Sequence, residues 1–406
     1  MGNRVCFLVA EHPFLDARIF KKEAKSLVQK GYDVTIIVPR RKGFLFDIDG
    51  TLMKDRFLEV SFMHEGVRIL TYDPPTGKQQ PARQLSYLRT GKVDPLPGPL
   101  IKLAVKHEAD LYHAHEFASC YDAIMTKRIL SLKGKDTRLI YDSHELVPDP
   151  KERMSQTVRG KLEEIRAHMF KEVDIVITVS ASIQQTYQRI NRNVPIEVLF
   201  NSPFLSPYDQ KARVGNSPLV LGYVGRMEEH KGSLAKLIQI LDYGNQSIDL
   251  RAKIIGGQTE VNTMELPHHL RDKVDIVGWL PYTNVAQALT GVDIGWIEIN
   301  TNNSLNRMYS MPNKFFSYLE RGIPPLVNQS RDMKTFIQKY KCGFVVKEDA
   351  TPLDFANALI QLNDDWKEVS ETGKRARKVM EDWFSWEHME QKLFAIYDRL
   401  LKSGKR

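Results

Sequence analysis

The chain has 406 residues, of which 42% are hydrophobic and 27% charged, and this composition excludes collagen, coiled coil and long disorder. No uninterrupted apolar run reaches the roughly 18 residues of a membrane-spanning helix, and we expect no signal peptide at the N-terminus. The three cysteines lie far apart in the sequence, so they predict neither a disulfide framework nor a zinc site, and we expect a cytoplasmic protein.

The net charge of +8 is unevenly distributed, because residues 1–200 hold 31 Lys and Arg against 25 Asp and Glu. A mildly basic first half suits an anionic membrane surface or an anionic substrate, and it equally suits an ordinary solvated surface. We do not expect a nucleic-acid partner, since the sequence has no stripe of basic and aromatic residues and no known nucleic-acid-binding motif.

Short apolar runs alternate with helical patterns along the chain. The runs predict strands at Val5–Ala10, Val34–Pro39, Asp110–Ala114, Leu139–Asp142, Ile175–Val179, Ile196–Phe200, Val220–Val224, Ala252–Ile255, Val274–Val277, Val292–Ile297, Pro325–Val327 and Phe344–Val346. Continuously apolar strands separated by helices are typical of parallel sheets that are covered on both faces. We therefore predict an α/β protein with two doubly wound, Rossmann-like domains.

Two proline-rich segments interrupt this alternation. Residues 73–99 contain six prolines and predict a loop, and residues 201–218 contain three and predict the break between the domains. The predicted domains are 1–205 and 206–383, and the helix within 384–406 is predicted to pack back on the first domain. Such sheets bind ligands beyond the carboxyl ends of their strands, and a cleft between two domains is a usual ligand site.

The strongest local pattern follows the predicted strand 220–224. Gly225-Arg226 ends that strand, and Lys231-Gly232 precedes an amphipathic helix. The free N–H groups and the partial positive charge of a helix N-terminus attract anions. Arg226 and Lys231 would add two cations at the same place, which suits a diphosphate. The alternative is an ordinary strand–loop–helix unit with two surface cations.

A second pattern begins at Pro312. Proline suits the first position of a helix, Gly322 ends that helix, and a buried strand follows. Asn313, Lys314 and Ser317 fall near the helix start, where a ligand could meet them. A short capped helix is the alternative, and it would be preferred if the first pattern were absent.

Together the two patterns resemble the retaining glycosyltransferases of family 4, which have the GT-B fold. The resemblance covers nearly the whole chain and extends to the segments Asp16–Ile19, Gly31–Val34, Asp110–His115, Tyr141–Glu145, Gly225–Gly232, Val277–Leu280 and Pro312–Lys314. No single segment is decisive, but their order and spacing are specific. The resemblance implies two Rossmann-like domains that face each other across a cleft.

For the second domain, the resemblance implies a donor site that holds a nucleotide sugar and needs no metal ion. Arg226 and Lys231 would hold the diphosphate and stabilise the negative charge that grows on it as the sugar leaves. The loop 278–281 would lie against the base. The implied donor-binding residues are Arg226, Lys231, Gly278, Trp279, Leu280, Asn313, Lys314 and Ser317.

For the first domain, the resemblance implies contacts with the transferred sugar and the acceptor. His144 follows a predicted strand and would face the reacting centre, so His144, Arg226 and Lys231 form the predicted catalytic group. The residues implied on the sugar and acceptor side are Asp16, His115, Glu116 and Glu145.

The activity implied by the resemblance is transfer of a hexose-type sugar with retention at the anomeric carbon. The expected donor carries UDP or GDP, and no cofactor is expected besides this substrate. The expected acceptor is a glycan or a lipid-linked precursor at the inner face of a membrane, with peripheral contact to anionic lipid.

One departure from the family pattern favours a different function. The family usually has a glutamate where this chain has Ser317, and the partner carboxylate eight residues earlier is replaced by Tyr309. That glutamate accepts hydrogen bonds from both ribose hydroxyls, and losing a charged hydrogen bond costs roughly 1.5–3 kcal/mol. Either the nucleotide is held differently, through Asn313 or Glu320, or the chain is a weakened member or a non-catalytic one that binds a glycan or supports a partner enzyme.

The segment Asp47–Thr51 has a second interpretation. Asp47-Ile-Asp49-Gly-Thr51 resembles the first motif of the haloacid-dehalogenase phosphatases, in which the first aspartate is a nucleophile. The segment follows the second predicted strand instead of the first, and no convincing downstream phosphatase motifs are present. A loop or hairpin that turns at Asp49-Gly50 is therefore the preferred interpretation.

Overall fold

The computed structural model describes residues 3–75, 81–208, 217–229, 232–257, 266–328 and 330–402. The chain divides into two compact units, of which one comprises Met1–Leu199 with Glu390–Arg406 and the other Phe200–Met389. The sequence had placed these divisions after residues 205 and 383. They are displaced because the Phe200 ring lies 5.4 Å from the Phe316 ring and the Trp386 N–H donates to the Pro203 carbonyl, which ties both segments to the second unit.

In the described part of the first unit, eight strands form one sheet in the order β3-β4-β2-β1-β5-β6-β7-β8. All neighbouring pairs are parallel except β3 and β4. The strands are β1 (Arg4–Val9), β2 (Asp33–Pro39), β3 (Ser61–His64), β4 (Val67–Tyr72), β5 (Leu111–His115), β6 (Arg138–Ser143), β7 (Ile175–Thr178) and β8 (Ile196–Val198). The predicted doubly wound sheet is confirmed.

Strands β3 and β4 escaped prediction because they form a half-exposed edge hairpin without a continuous apolar run. Glu65 and Gly66 both have positive φ, which gives the two-residue turn that suits the twist of an antiparallel pair. Between β2 and β3, Phe46 pairs with Leu52 and the Asp47 N–H donates to the Thr51 carbonyl, so 47–51 form the predicted turn.

Helices cover the first sheet. They are α1 (Lys25–Gln29), which continues a π-helical segment at Ile19–Ala24, α2 (Pro81–Thr90), α3 (Pro99–His107), α4 (Glu116–Leu132), α5 (Gln156–Met169) and α6 (Ala181–Ile190). The prediction of a loop throughout 73–99 was wrong, because α2 lies within it. Its prolines fall outside helix interiors: Pro81 and Pro99 each open a helix, where proline is tolerated.

In the described part of the second unit, six parallel strands form a sheet in the order β11-β10-β9-β12-β13-β14. They are β9 (Leu219–Arg226), β10 (Leu250–Gly257), β11 (Val274–Gly278), β12 (Ile294–Ile297), β13 (Pro325–Val327) and β14 (Phe344–Val345). The helices are α7 (Leu234–Gly244), α8 (Val285–Ala288), α9 (Leu305–Met308), α10 (Asn313–Glu320), α11 (Arg331–Tyr340), α12 (Pro352–Asp364), α13 (Trp366–Val379) and α14 (Trp386–Lys402).

Helix α14 begins in the second unit and its residues from Glu390 on belong to the first. There the Tyr397 hydroxyl lies 2.8 Å from Nδ1 of His113, and Ser26 donates to Glu390 at 2.9 Å. Tyr397 is fully buried, so this helix adds to the core of the first unit. Among the residues described, no helix combines the length and apolarity needed to cross a bilayer.

In each sheet the chain first adds strands on one side of its starting strand and then on the other side. The place where the side changes is called the switch point. In the first sheet this switch lies between β1 and β5, and in the second it lies between β9 and β12. Loops that leave the carboxyl ends of these neighbouring strands diverge and leave a crevice, which is where open α/β sheets bind ligands. The two switch points therefore define where the functional residues of each unit are to be sought.

Candidate functional site

In the first unit, the switch point gathers most of the residues that the sequence had implied. Asp16 lies in the segment after β1, His115 and Glu116 lie at the end of β5, and His144 and Glu145 follow β6. Because β1, β5 and β6 are adjacent and parallel, their carboxyl ends share one edge of the sheet. The exposed Glu145 contributes to the rim of this group, whereas His115 is buried beneath it.

Glu116 binds the protein's own backbone. Its carboxylate accepts hydrogen bonds from the N–H groups of Ala10, Glu11 and His12 at 2.9–3.2 Å, and it also contacts Nδ1 of His12. Its φ of 76° places the residue in the left-handed region, which turns the side chain toward the loop after β1. In this structure Glu116 holds the loop that carries His12, and its implied contact with the sugar or acceptor stays a prediction.

His12 is a member of the group that the sequence analysis missed. Its ring centroid lies 5.0 Å from that of His144, and its side chain is 31% exposed. Burial alone would lower the pKa of His12, but the hydrogen bond and charge of Glu116 raise it from 6.5 to about 9. His12 is therefore a cation at neutral pH, next to His144. The sequence did contain one indication of a functional role for His12, since it lies just after the first predicted strand, where such sheets bind ligands.

The His12–Glu116 pair predicts a pH dependence of stability. Because the folded-state pKa of His12 is raised, its contribution is fully present below pH 6.5 and is lost as the pH rises toward about 9. The shift corresponds to at most ~3 kcal/mol. We expect the free energy of unfolding, measured in urea between pH 6.5 and 9, to fall less steeply for His12→Gln than for the unchanged protein.

A suitable control for this experiment is His168→Gln, since Nε2 of His168 lies 3.8 Å from Glu164 at the surface of the same unit. This variant should keep the original pH slope. An unchanged slope in His12→Gln would contradict the assignment of a raised pKa to His12.

His144 stands above a buried ionic cluster. Its Nε2 lies 3.4 Å from Oδ2 of Asp142 and 3.4 Å from Nδ1 of His115. Asp142 is in turn held by Arg18, whose Nε and Nη2 donate to its two carboxylate oxygens at 2.8 and 3.0 Å. Although burial opposes ionisation, Arg18 holds the pKa of Asp142 well below its usual range. A fixed carboxylate thus faces Nε2 of His144, whose side chain is 15% exposed.

Asp16 is held by its own helix start. Its Oδ1 accepts from the N–H groups of Arg18 at 2.7 Å and Ile19 at 3.0 Å. Burial alone would raise the pKa of Asp16, but His12 and these N–H groups lower it below its ordinary value. Asp16 is thus an ionised carboxylate within the influence of His12 and His144, and it can accept hydrogen bonds from hydroxyl groups.

Four fully buried side chains below His144 could in principle ligate a metal ion. Ligating atoms of Glu23, His113, His115 and Asp142 all lie within 4.8 Å of one another. Arg18 already supplies a cation there, because its Nε lies 3.0 Å from Oε1 of Glu23 as well as 2.8 Å from Asp142. A divalent ion would add charge beside this guanidinium, so we assign none to the cluster.

In the second unit, the switch point carries the predicted phosphate-binding loop. Arg226 ends β9, its guanidinium is 54% exposed, and its Nε lies 3.6 Å from Glu228. This long contact leaves the cation available to a ligand. Lys231 lies outside the described residues. The next residue, Gly232, donates its N–H to the carbonyl and the Oε2 of Glu298, which directly follows β12.

The remaining donor residues come from two further elements. Gly278 ends β11 with a φ of 78°, and Trp279 and Leu280 follow it at the same edge of the sheet. Asn313 and Lys314 open α10, and Nζ of Lys314 lies 3.7 Å from the centroid of the Tyr223 ring. The structure therefore brings Lys314 next to the β9 loop although 88 residues separate Lys314 from Arg226.

The structure shows the surroundings of Ser317 and of Glu320, which had been suggested as a substitute for the missing glutamate. Ser317 is buried and its hydroxyl donates to the Asn313 carbonyl at 3.1 Å, within α10. Glu320 is 1% exposed and is occupied by Arg377 at 2.9 Å and by Ser206. Glu320 is thus engaged in structural contacts, which disfavours the suggestion that it holds the nucleotide.

Comparison with known families and structures gives a consistent result. The model of Glycosyltransferase Family 4 matches residues 17–202, and that of Glycosyl transferases group 1 matches residues 207–379. No curated protein matches the sequence.

Three solved structures illustrate the likeness in fold. A sucrose-phosphate synthase from Thermosynechococcus elongatus has a TM-score of 0.70 at 13% identity, with 99% of this chain and 100% of that chain covered. Anabaena HepE in complex with UDP-glucose has a TM-score of 0.67 at 15% identity, with 98% and 99% covered. Staphylococcus aureus TarM in complex with Fondaparinux, alpha-GlcNAc-glycerol and UDP has a TM-score of 0.62 at 12% identity, with 98% and 99% covered.

Proposed function

Because this chain belongs to the family 4 glycosyltransferases, with the GT-B fold, we propose that it transfers a hexose from a nucleotide sugar to a glycan or lipid-linked acceptor, with retention at the anomeric carbon. The observation that carries the proposal is the exposed guanidinium of Arg226 at the switch point of the second sheet, with Lys314 brought next to the same loop. Cations at this place suit the diphosphate of a sugar donor.

The proposed chemistry follows from where charge develops. As the bond between the anomeric carbon and the diphosphate breaks, negative charge grows on the diphosphate oxygens. In this proposal the exposed cation of Arg226 stabilises that charge together with Lys231, and the step is proposed to need no metal ion. The proposed donor carries UDP, a choice supported by the HepE and TarM structures, which contain UDP or UDP-glucose. GDP is the alternative.

The first unit is proposed to bind the sugar and the acceptor. The cation of His12 and the carboxylate of Asp16 can hold sugar hydroxyls, and Asp142 fixes the orientation of His144. We place the protein at the inner face of a membrane, with the basic first half toward anionic lipid. Sedimentation with vesicles of anionic lipid, compared with neutral vesicles, tests this placement.

A thermal-shift screen tests the donor proposal. UDP, GDP, ADP, dTDP and their common sugar conjugates are added in the presence of EDTA. A ligand at 100 times its dissociation constant stabilises the folded protein by about 2.7 kcal/mol, which is easily seen. We expect a shift with UDP or GDP that is lost in Arg226→Ala. No shift with any nucleotide, in a protein that melts cooperatively, would contradict the donor site.

A non-catalytic glycan-binding or partner-supporting protein is the second candidate. It is favoured by Ser317 and Tyr309, which stand where the family has carboxylates, and by the occupation of Glu320 by Arg377. Under this function no donor is turned over, and neutralising Arg226 leaves the biological role intact.

Restoring the missing carboxylate separates the two functions. Under the transferase proposal, Ser317→Glu should strengthen UDP binding roughly 10-fold or more, because a carboxylate then accepts the ribose hydroxyls. Isothermal titration of UDP into both proteins measures the change. Binding that stays undetectable in the variant and in the unchanged protein would favour the non-catalytic function.

A further inference from the structure

The ring of Tyr223 contacts three residues of the proposed donor site, Arg226, Gly232 and Lys314, although no sequence pattern predicted a role for it. Tyr223 is in β9, three residues before Arg226, and is 1% exposed. Its hydroxyl donates to the Arg226 carbonyl at 2.7 Å. This hydrogen bond spans Gly225, whose φ is 103°, at the end of β9, and so fixes the backbone from which the Arg226 side chain extends.

The edge of the same ring determines the course of the loop that follows. A Cβ atom placed on Gly232 would come within 2.1 Å of Cε2 of Tyr223, so the loop backbone lies directly against the ring and only glycine fits there. The Gly232 N–H donates to Glu298 on the other side. Gly232 is therefore held between Tyr223 and Glu298, and Lys231 immediately precedes it in the chain.

The face of the Tyr223 ring contacts the ammonium group of Lys314. Nζ of Lys314 lies 3.7 Å from the ring centroid, within the range in which an aromatic face attracts an ammonium group. One turn further along α10, the Tyr318 hydroxyl accepts from the Val224 N–H at 3.1 Å and donates to the Gly222 carbonyl at 3.0 Å. Tyr318 thus fixes α10 against β9 at the height that brings Lys314 over Tyr223.

We infer that Tyr223 is a positioning residue for the donor diphosphate, because it holds the Arg226 end of β9, the Gly232 backbone and the Lys314 ammonium in one arrangement. The inference rests on the proposed donor site in the second unit. Tyr223 acts through these three residues and makes no contact with the donor itself. Its hydroxyl bonds to Arg226 and its ring face receives Lys314, while its ring edge and hydroxyl together lie against Gly232. Removing the hydroxyl alone and removing the whole ring therefore test different sets of these contacts.

Two substitutions at this position test the inference. Tyr223→Phe keeps the ring against Gly232 and under Lys314 and removes the bond to Arg226, so the KM for the donor should rise about 5-fold while the melting temperature falls no more than in the packing control below. Tyr223→Leu removes all three contacts and should raise the donor KM by more than 20-fold. The effect of Lys314→Met on UDP binding should be smaller in the Tyr223→Leu protein than in the unchanged protein. In the Tyr223→Leu protein the Lys314 ammonium has already lost its contact with the aromatic ring.

Phe355→Leu is the matched control for lost packing. Phe355 is 1% exposed, belongs to the same apolar cluster as Tyr223 and packs on Trp296, which also contacts Tyr223. It should lower the melting temperature and leave the donor KM unchanged. A Tyr223→Phe protein with unaltered donor KM, or Tyr223→Leu and Phe355→Leu proteins with equal losses of donor affinity, would overturn the inference while leaving the donor site intact. Absence of nucleotide binding in the unchanged protein would overturn both.

Discussion

Replacing Arg226 with alanine is expected to lower the rate of sugar transfer about 100- to 1000-fold without changing the melting temperature. Removing one preorganised charge or donor that faces developing negative charge typically has an effect of this size. Stability should not change, because the guanidinium is 54% exposed and its contact with Glu228 is 3.6 Å long. Lys231→Ala should show the same loss. Initial rates with a radiolabelled donor and the thermal melting curve measure the two quantities.

Arg251→Ala is the matched control. Arg251 is 47% exposed and contacts Asp249 at 3.4 Å, but it lies at the amino end of β10, at the opposite edge of the sheet from Arg226. This variant should transfer sugar at the original rate. Normal activity in both Arg226→Ala and Lys231→Ala would contradict the transferase proposal and favour the non-catalytic function.

The sequence could predict the two sheets because their central strands are buried on both faces and therefore appear as apolar runs. It could also predict that His144 follows a strand and that Arg226 ends one, since these positions depend only on local order along the chain. The edge hairpin β3–β4 and helix α2 were missed, because exposed elements carry weak apolar patterns.

The partners of the site residues could not be predicted from spacing. Glu116 binds the backbone of residues 10–12, Arg18 binds Asp142, and Lys314 lies over Tyr223, with sequence separations of about 100 residues in each case. Such contacts depend on which strands become neighbours, which local patterns do not specify. The same reason explains why the sequence left Glu320 open as a ligand-binding residue, since its partner Arg377 lies 57 residues away in the chain.

Replacing Arg18 with methionine is expected to destabilise the first unit strongly and the second unit little. Arg18 is 4% exposed and donates to both oxygens of the fully buried Asp142, while its Nη1 donates to the Leu199 carbonyl at 2.9 Å. Methionine has a similar length and no charge, so Asp142 would remain buried without its cation. Breaking a buried ion pair by removing one partner costs about 3–5 kcal/mol.

Hydrogen exchange of backbone amides, followed by mass spectrometry, can separate the two units because they are measured on different peptides. Peptides of β1, β5 and β6 should lose protection in Arg18→Met, and peptides of β9 and β12 should keep it.

Arg89→Met is the control, since Arg89 makes an equally bidentate pair with Glu164, at 2.5 and 2.6 Å, but on the surface. Water already solvates that pair, so its loss should leave protection unchanged. Adding Asp142→Leu to Arg18→Met should restore part of the protection, because the stranded carboxylate is removed. Equal behaviour of the Arg18 and Arg89 variants would mean that the buried cluster tolerates an unpaired charge, and the fixed orientation proposed for His144 would then lose its basis.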